Sequence, residues 1–263
     1  MKIPRCFRRF SGGLSVALFL ALWEVAPHCG EQVGLFIAPP STLLRTLWEL
    51  FQSGELARHT GTSLFRALLG LLLASAVGIP LGFLLSGWFP TLERIVKPVL
   101  RLLGEVNPFS LFPVFMLLFG IGEISKVAMI FWVCLWPILF NTITGVVTVD
   151  PGHIKTARSM GADQRTLIFK VIIPGASPLI FNGLKIGCGT AFFMLIAAEM
   201  VGASAGLGWL VWNAQITYQI PKLFAATVAI SVLGVALSGI FGFVEKKTLA
   251  WREPVMGAGD GTL

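Results

Sequence analysis

Asp150 to Pro174 reads DPGHIKTARSMGADQRTLIFKVIIP, the longest polar interruption in the second half of a very apolar chain. Asp150 is a good helix cap, and Pro151 suits the first turn because proline has no backbone N–H to lose there. Gly161 is placed to end this helix. Asp163 is placed to cap a second helix, predicted over 164–173 and stopped by the proline that follows. The stretch therefore predicts two short helices between two membrane spans.

The first of these helices has a small apolar face. Ile154 and Ala157, with Met160 and Gly161 a turn further on, recur at helical spacing, and Lys155 falls elsewhere. A short helix with such a face suits docking into a groove on a soluble partner. A basic loop held against lipid head groups is the alternative interpretation of the same pattern.

The whole chain is more apolar than a soluble protein of its length requires. Of its 263 residues, 55% are hydrophobic and 13% are charged, and its mean hydropathy is +0.82. This composition predicts an integral membrane protein. The net charge of +7 would suit a nucleic-acid partner, but the basic residues are distributed as membrane orientation requires, so no nucleic acid is expected. The four cysteines are scattered without a CxxC pair, which predicts neither a disulfide framework nor a metal site.

Apolar stretches predict an all-α membrane protein with six transmembrane helices. They cover residues 14–26, 64–87, 103–120, 127–149, 179–201 and 224–244. With six spans, most of the 20 lysine and arginine residues fall on the side that holds both termini and the segment 150–174. The positive-inside rule therefore places both termini and that segment in the cytoplasm.

The predicted organisation has three parts. Residues 1–13 form a basic cytoplasmic N-terminus, 14–252 form the transmembrane domain, and 253–263 form a disordered C-terminal tail. The first apolar stretch resembles a signal peptide but lacks a convincing cleavage site, so it is interpreted as an uncleaved span. Residues 202–222, rich in glycine and tryptophan, are predicted to be an outer loop.

Four polar residues within the apolar stretches are candidates for the solute pathway. Irregular backbone at membrane depth persists only where protein or a watery cavity covers it, so Asn107 and Ser110 are predicted to line the pathway. A kink buried against neighbouring helices is the alternative. Asn141, toward the inner end of the fourth span, is a weaker candidate. Glu199 is either a carboxylate that snorkels to the outer interface or part of a gate or latch beside the outer loop.

The segment 150–174 resembles the cytoplasmic coupling ("EAA") loop of bacterial ABC importer permeases. That loop has Glu-Ala-Ala, three residues, Gly, nine residues, an aliphatic residue, one more residue, a second aliphatic residue and Pro. The corresponding residues here are Lys155, Thr156, Ala157, Gly161, Val171, Ile173 and Pro174. The spacing matches throughout, but the first two positions depart from the pattern: Lys155 stands where the family has Glu, and Thr156 where it has Ala. The lysine reverses a charge at a partner contact. The runs 178–187 and 198–208 resemble the nitrate, sulfonate, taurine and bicarbonate branch, and the resemblance extends over residues 35–252.

The resemblance implies the permease subunit of an ATP-driven importer with the small type I importer fold, in the bacterial inner membrane. Its implied partners are a cytoplasmic ABC ATPase dimer, a periplasmic or lipid-anchored solute-binding protein and a second copy of the permease, which makes a homodimer. ATP and Mg²⁺ would be bound by the ATPase, because this chain lacks the GxxxxGK[ST] motif and contains no cofactor site of its own. Docking on the ATPase is expected at Pro151, Ile154, Lys155, Ala157, Gly161 and Ala162.

Two other classes of function fit the sequence less well than a permease does. An ion-coupled secondary transporter or a channel would need more charge within the membrane, or visible repeats. An intramembrane serine protease is suggested by the GxSxG string around Ser204, but no histidine follows His153 in the chain. The sequence therefore favours a permease without catalytic residues, which moves its solute by alternating access.

Overall fold

The computed structural model describes residues 5–28, 36–87 and 90–248, and within these ranges it contains helices and no strand. The α-helices are α1 (Arg5–Val25), α2 (Pro40–Gln52), α3 (Glu55–Leu84), α4 (Pro90–Gly104), α5 (Pro108–Phe119), α6 (Glu123–Val147), α7 (Pro151–Ser159), α8 (Gln164–Leu167), α9 (Ile173–Met200), α10 (Leu207–Ile216) and α11 (Ile220–Thr248). A 3₁₀ turn, Ala26–His28, follows α1, and a π-helical turn, Ile168–Ile172, joins α8 to α9. The predicted tail 253–263 lies outside the described residues.

Four helical segments in the described ranges are long and apolar enough to cross a membrane. They are α3, α6, α11 and the 37-residue run Gln164–Met200, which contains α8, the π-helical turn and α9. Arg94–Gly104 and Pro108–Phe119, which meet at 95°, supply a fifth span if they are counted as one. The 21-residue α1 covers the first predicted span but is not among these segments. The count of six spans and the cytoplasmic placement of the termini therefore stay predictions.

The predicted third span, 103–120, was wrong in its limits. The helix there is α5, which begins only at Pro108 because the Asn107 side chain accepts a hydrogen bond from the N–H of Phe109 at 2.9 Å. Such a cap stabilises the start of a helix, and the preceding helix α4 has already ended at Gly104. Pro113 lies inside α5 and does not end it, since a proline within a helix removes one hydrogen bond without necessarily breaking the helix.

Two further predictions of the chain's path were wrong. The expected outer loop 202–222 contains α10, a helix of 10 residues; two of the three glycines that suggested a loop precede it, and Gly208 lies within it. The second helix of the coupling loop continues through Pro174 to Met200. The π-helical turn lies just before this proline, where the regular i→i−4 ladder is already interrupted, so the missing N–H of proline causes little further loss.

The chain forms two compact units. The first consists of Met1–Leu64 with Ile196–Leu233, and the second of Phe65–Leu195 with Gly234–Leu263. In the first unit, Glu24 accepts two hydrogen bonds from Ser41, and Lys222 pairs with Glu55 at 2.7 Å. These contacts join residues far apart in the sequence.

The core of the second unit is built from α3, α6 and α9. Its buried residues are Ala67, Leu71, Ala74, Ile130, Cys134, Leu135, Ile138, Ala191 and Leu195. The helices approach closely because small residues lie where they meet. At Gly70, for example, an added Cβ atom would lie 2.5 Å from Cγ2 of Ile130.

Candidate functional site: the coupling loop and a buried carboxylate

The segment 150–174 begins as the sequence predicts. One carboxylate oxygen of Asp150 accepts a hydrogen bond from the N–H of Gly152 at 2.7 Å, and Pro151 occupies the first position of α7. The side chain thus satisfies one of the backbone donors that the first turn of a helix leaves without a partner.

Gly161 ends α7, also as predicted. Its φ of +81° is the left-handed conformation that glycine adopts at little cost. The N–H of Gly161 donates to the carbonyl of Arg158, and that of Ala162 donates to the carbonyl of Ala157, each at 3.0 Å. This pair of bonds is the Schellman motif, which satisfies the last carbonyls of the helix and turns the chain sharply.

The four residues predicted to share one docking face are divided in the structure. Ile154 and Ala157 are partly buried and pack against the cluster formed by Val146, Val149, Leu167, Ile172, Ala176 and Ile180. Met160 is 83% exposed, and Gly161 is exposed with open space around its Cα. The apolar side of α7 therefore fixes the helix to its own unit, and the end of the helix is left free for a partner.

Three more of the predicted docking residues are spread along α7 and the turn that follows it. Pro151 at the first turn and Lys155 in the middle of the helix are exposed, and Ala162 is partly buried just after the turn. We call the exposed residues Pro151, Lys155, Met160 and Gly161 the coupling tip.

Asp163 caps α8 as predicted. Its carboxylate accepts a hydrogen bond from the N–H of Thr166 at 3.1 Å. Hydrogen bonding by Thr166, from its side chain first and its backbone second, holds the pKa of the Asp163 carboxyl below its ordinary value. The carboxylate form that caps the helix is therefore favoured at neutral pH.

The candidate pathway residues of the second unit do not form one site. Asn107 lines a cavity of about 560 Å³ together with Glu105, Thr190 and Phe193. Ser110 is exposed and is not part of that cavity lining. Asn141 donates to the carbonyl of Pro137 at 2.8 Å and accepts from the side chain of Asn182 at 3.0 Å.

Glu199 belongs to the first unit and is fully buried, with 0% of its surface exposed. The interpretation of it as a carboxylate snorkelling to the interface was therefore wrong. Ser63 donates its hydroxyl proton to the Glu199 carboxylate, whose two oxygens both lie 2.8 Å from the hydroxyl. The N–H of Gly208 donates to the same carboxylate at 2.9 Å. A buried carboxylate needs such donors, because burial removes its hydration.

Ser63 and His59 are functional candidates that the sequence did not indicate. The Ser63 hydroxyl oxygen also accepts from the N–H of Leu207 at 2.8 Å, and Nδ1 of His59 accepts from the N–H of Gly206 at 3.0 Å. The His59 ring is stacked on Trp209, with 5.2 Å between ring centroids. The only local signal is the four-residue spacing of His59 and Ser63, which puts them on one side of α3.

In the described part of the chain, neither a serine-protease site nor a metal site is assembled. Ser204, of the GxSxG string, lies exposed in the bend before α10 and not in a strand–turn–helix. Among the described residues, no group of three or more His, Cys, Asp or Glu side chains is arranged to hold a metal ion.

Known transport proteins are similar to this chain over most of its length. Residues 78–250 match the family described as "Binding-protein-dependent transport system inner membrane component". The chain is 33% identical over 246 residues to the "Putative aliphatic sulfonates transport permease protein SsuC" of Bacillus subtilis, covering 94% of this chain and 89% of that protein. It is 30% identical to the "Taurine transport system permease protein TauC" of Escherichia coli, covering 92% and 89%, and 30% identical to the "Bicarbonate transport system permease protein CmpB" of Synechocystis, covering 87% and 84%.

The fold is also found among solved structures. An inward-facing conformation of the MetNI methionine ABC transporter superposes with a TM-score of 0.63 at 20% identity, covering 77% of this chain and 98% of that one. At this level of identity the likeness establishes the helical permease fold alone. The chain therefore belongs to the family of inner-membrane components of binding-protein-dependent transport systems, and it is a permease of the ABC transporter type rather than a catalytic subunit.

Proposed function

We propose that the chain is the membrane subunit of an ATP-driven importer for a small anionic solute, an oxyanion or an organosulfonate. The observation that carries this proposal is similarity over nearly the whole chain to permeases named for aliphatic sulfonates, taurine and bicarbonate. The partners would be a cytoplasmic ATPase dimer that binds ATP and Mg²⁺, an external solute-binding protein and a second copy of the permease.

The coupling tip is the proposed contact with the ATPase. Lys155 and Met160 are exposed there, while Ile154 and Ala157 hold α7 against the second unit. This arrangement suits force transmission, because a partner that binds the tip pulls on a helix that cannot slide on its support. Ile154 and Ala157 thus anchor the tip rather than touch the partner, and Ala162 contributes through the hydrogen bond of its N–H to the carbonyl of Ala157.

The coupling loop continues directly into a membrane span. The run Gln164–Met200 is helical over 37 residues, which corresponds to about 55 Å at 1.5 Å per residue. Movement of the tip would be carried along this run, and the spans would alternate between inward-facing and outward-facing states. Asn107 and its cavity are the better-supported part of the solute pathway, since Ser110 does not line that cavity and Asn141 is engaged with Pro137 and Asn182.

Reconstituted transport tests the proposal. The permease is placed in proteoliposomes with its candidate ATPase and solute-binding protein, and uptake of labelled taurine, ethanesulfonate, bicarbonate and nitrate is measured. We expect uptake of at least one of these anions to require both ATP and the binding protein. An ATPase whose P-loop lysine is replaced by alanine is the matched control. Uptake driven by an ion gradient without the ATPase would overturn the proposal and favour a secondary transporter or channel.

A further inference from the structure

Three successive backbone amides at the start of α10 are each bound by a side chain from another helix. The N–H groups of Gly206, Leu207 and Gly208 donate to His59, Ser63 and Glu199, at 3.0, 2.8 and 2.9 Å. The three acceptor residues are buried, with 5%, 1% and 0% of their surface exposed. His59 and Ser63 belong to α3 and Glu199 to α9. This set, which we call the amide clamp, therefore joins the start of α10 to those parts of α3 and α9 that lie in the first unit.

The amide clamp solves a general problem of helix ends. The first N–H groups of a helix have no partner within it, and burying them without partners is costly. A carboxylate at this end is also favoured by the helix dipole. Ser63 links the parts of the clamp, since its hydroxyl donates to Glu199 while accepting from Leu207.

Two glycines allow the backbone to approach the carboxylate this closely. Gly206 has a φ of +125°, and a Cβ atom added there would collide with the Glu199 carboxylate. A Cβ atom at Gly208 would lie 2.5 Å from the carbonyl oxygen of Ile196. Gly202, with a φ of +86°, begins the connection to α10. Glycines in the left-handed region therefore stand at both ends of this short segment, and the amide clamp binds its far end.

We infer that Glu199, Ser63 and His59 are positioning residues for transport, because they clamp the start of α10 to α3 and α9 so that these three helix ends move as one body. The inference rests on the proposed function. Polar contacts suit this purpose better than apolar packing, because hydrogen bonds fix one register whereas an apolar surface tolerates sliding. A carboxylate buried within a membrane helix is also expensive, which marks it as a residue with a function.

Transport and labelling together test the clamp. The variants are Ser63→Ala and Glu199→Gln, compared with Ser75→Ala. Ser75 is the matched control because its hydroxyl also lies on α3 but donates only to the carbonyl of Leu71 in its own helix. The second readout is the rate at which a thiol reagent labels Ala214→Cys in a background without the four native cysteines. Ala214 is fully buried on α10, so its labelling reports release of this helix.

Variants of the amide clamp should release the start of α10 while the ATPase stays bound to the permease. Ser63→Ala removes both the hydrogen bond to Glu199 and the one from Leu207. We expect it to lower solute uptake per ATP hydrolysed by about tenfold and to raise the labelling rate of Ala214→Cys by a similar factor. Ser75→Ala should change neither quantity. A merely structural role would lower the amount of assembled complex, and uptake and ATP hydrolysis would fall together.

The outcomes separate this inference from the proposed function. If Ser63→Ala behaves like Ser75→Ala in coupling and in labelling, the clamp does not position α10 and the inference fails. If the unmodified permease shows no ATP-dependent uptake, the proposed function fails, while the labelling comparison still tests the clamp. If Glu199→Gln does not reach the membrane, Ser63→Ala decides alone, because it removes only one oxygen atom.

Discussion

The N–H of Ala162 lies 3.0 Å from the carbonyl oxygen of Ala157, and this bond closes the coupling helix α7. The donor and the acceptor of this bond are five residues apart. The chain can turn back to form it because Gly161, just before the donor, has a φ of +81°. The same turn leaves Met160 and Gly161 exposed at the coupling tip. The geometry of one glycine therefore shapes the surface proposed to meet the ATPase.

Replacing Gly161 should test the turn and the docking contact separately. In Gly161→Ala the left-handed backbone becomes unfavourable by about 1–2 kcal/mol. Gly161→Asn should retain the turn, because asparagine tolerates this conformation better than alanine does. We expect the apparent melting temperature to fall for the alanine variant and to change little for the asparagine variant.

Co-purification of the ATPase completes this comparison. Open space surrounds Gly161, so alanine and tryptophan share the same backbone strain there, and the extra bulk of tryptophan obstructs only a partner. Gly161→Trp should therefore lose the ATPase more completely than Gly161→Ala, while both insert in the membrane. Normal uptake by the tryptophan variant would show that this surface does not dock.

Lys155→Glu should retain or strengthen binding of the ATPase. Lys155 is exposed on the coupling tip, at the position where the loop pattern that this segment resembles has glutamate. The matched control is Lys170→Glu, which makes the same charge change at an exposed residue of the π-helical turn. The measurement is the amount of ATPase that co-purifies with each variant. Loss of the ATPase from Lys155→Glu, but not from Lys170→Glu, would count against the alignment of this loop with the family.

Local signals explain what the sequence predicted well. Asp150, Asp163 and Gly161 act on groups within a few residues of themselves, so their roles at helix ends were predictable from spacing. Periodicity also placed Ile154 and Ala157 on one face of α7. It did not reveal that this face packs on the chain's own core, because an apolar stripe has the same pattern whichever surface it meets.

Long-range contacts explain what was missed. The partners of Gly206 and Leu207 in the amide clamp are 147 and 144 residues away in the sequence, and no local pattern pairs them. The interpretation of Glu199 as interfacial was wrong for the same reason: its burial depends on Ser63 and on the start of α10, not on its neighbours in α9. The glycines around α10 indicated a loop, whereas Gly206 and Gly208 allow close packing against Glu199.

Tyr218 should be a site where a glycine stabilises the protein. Among the described residues it is the one non-glycine residue with positive φ, at 55°, and its side chain is 81% exposed. It occupies the same position after α10 that Gly161 occupies after α7, since Gln219 donates to Ala214 and Tyr218 to Gln215. Tyr218→Gly should relieve about 1 kcal/mol and raise the apparent melting temperature by about 2–4 °C. Tyr218→Ala keeps the strained backbone and is the control; equal melting temperatures for the two variants would contradict the assignment of strain.

Replacing either of two glycines of α3 by alanine should change the stability of the fold, and the two changes should have opposite signs. At Gly70 an added Cβ atom would lie 2.5 Å from Cγ2 and 2.7 Å from Cβ of Ile130, both on a buried branched side chain that cannot move aside easily. Gly70→Ala should therefore destabilise the fold by about 1–3 kcal/mol. At Gly61 nothing lies within 4 Å of the added atom, so Gly61→Ala should stabilise the helix by up to about 1 kcal/mol. Melting temperatures measured in the same detergent at one heating rate compare the two variants. If both substitutions shift the melting temperature in the same direction, the close approach of α3 to α6 at Gly70 is not what sets the stability of this core.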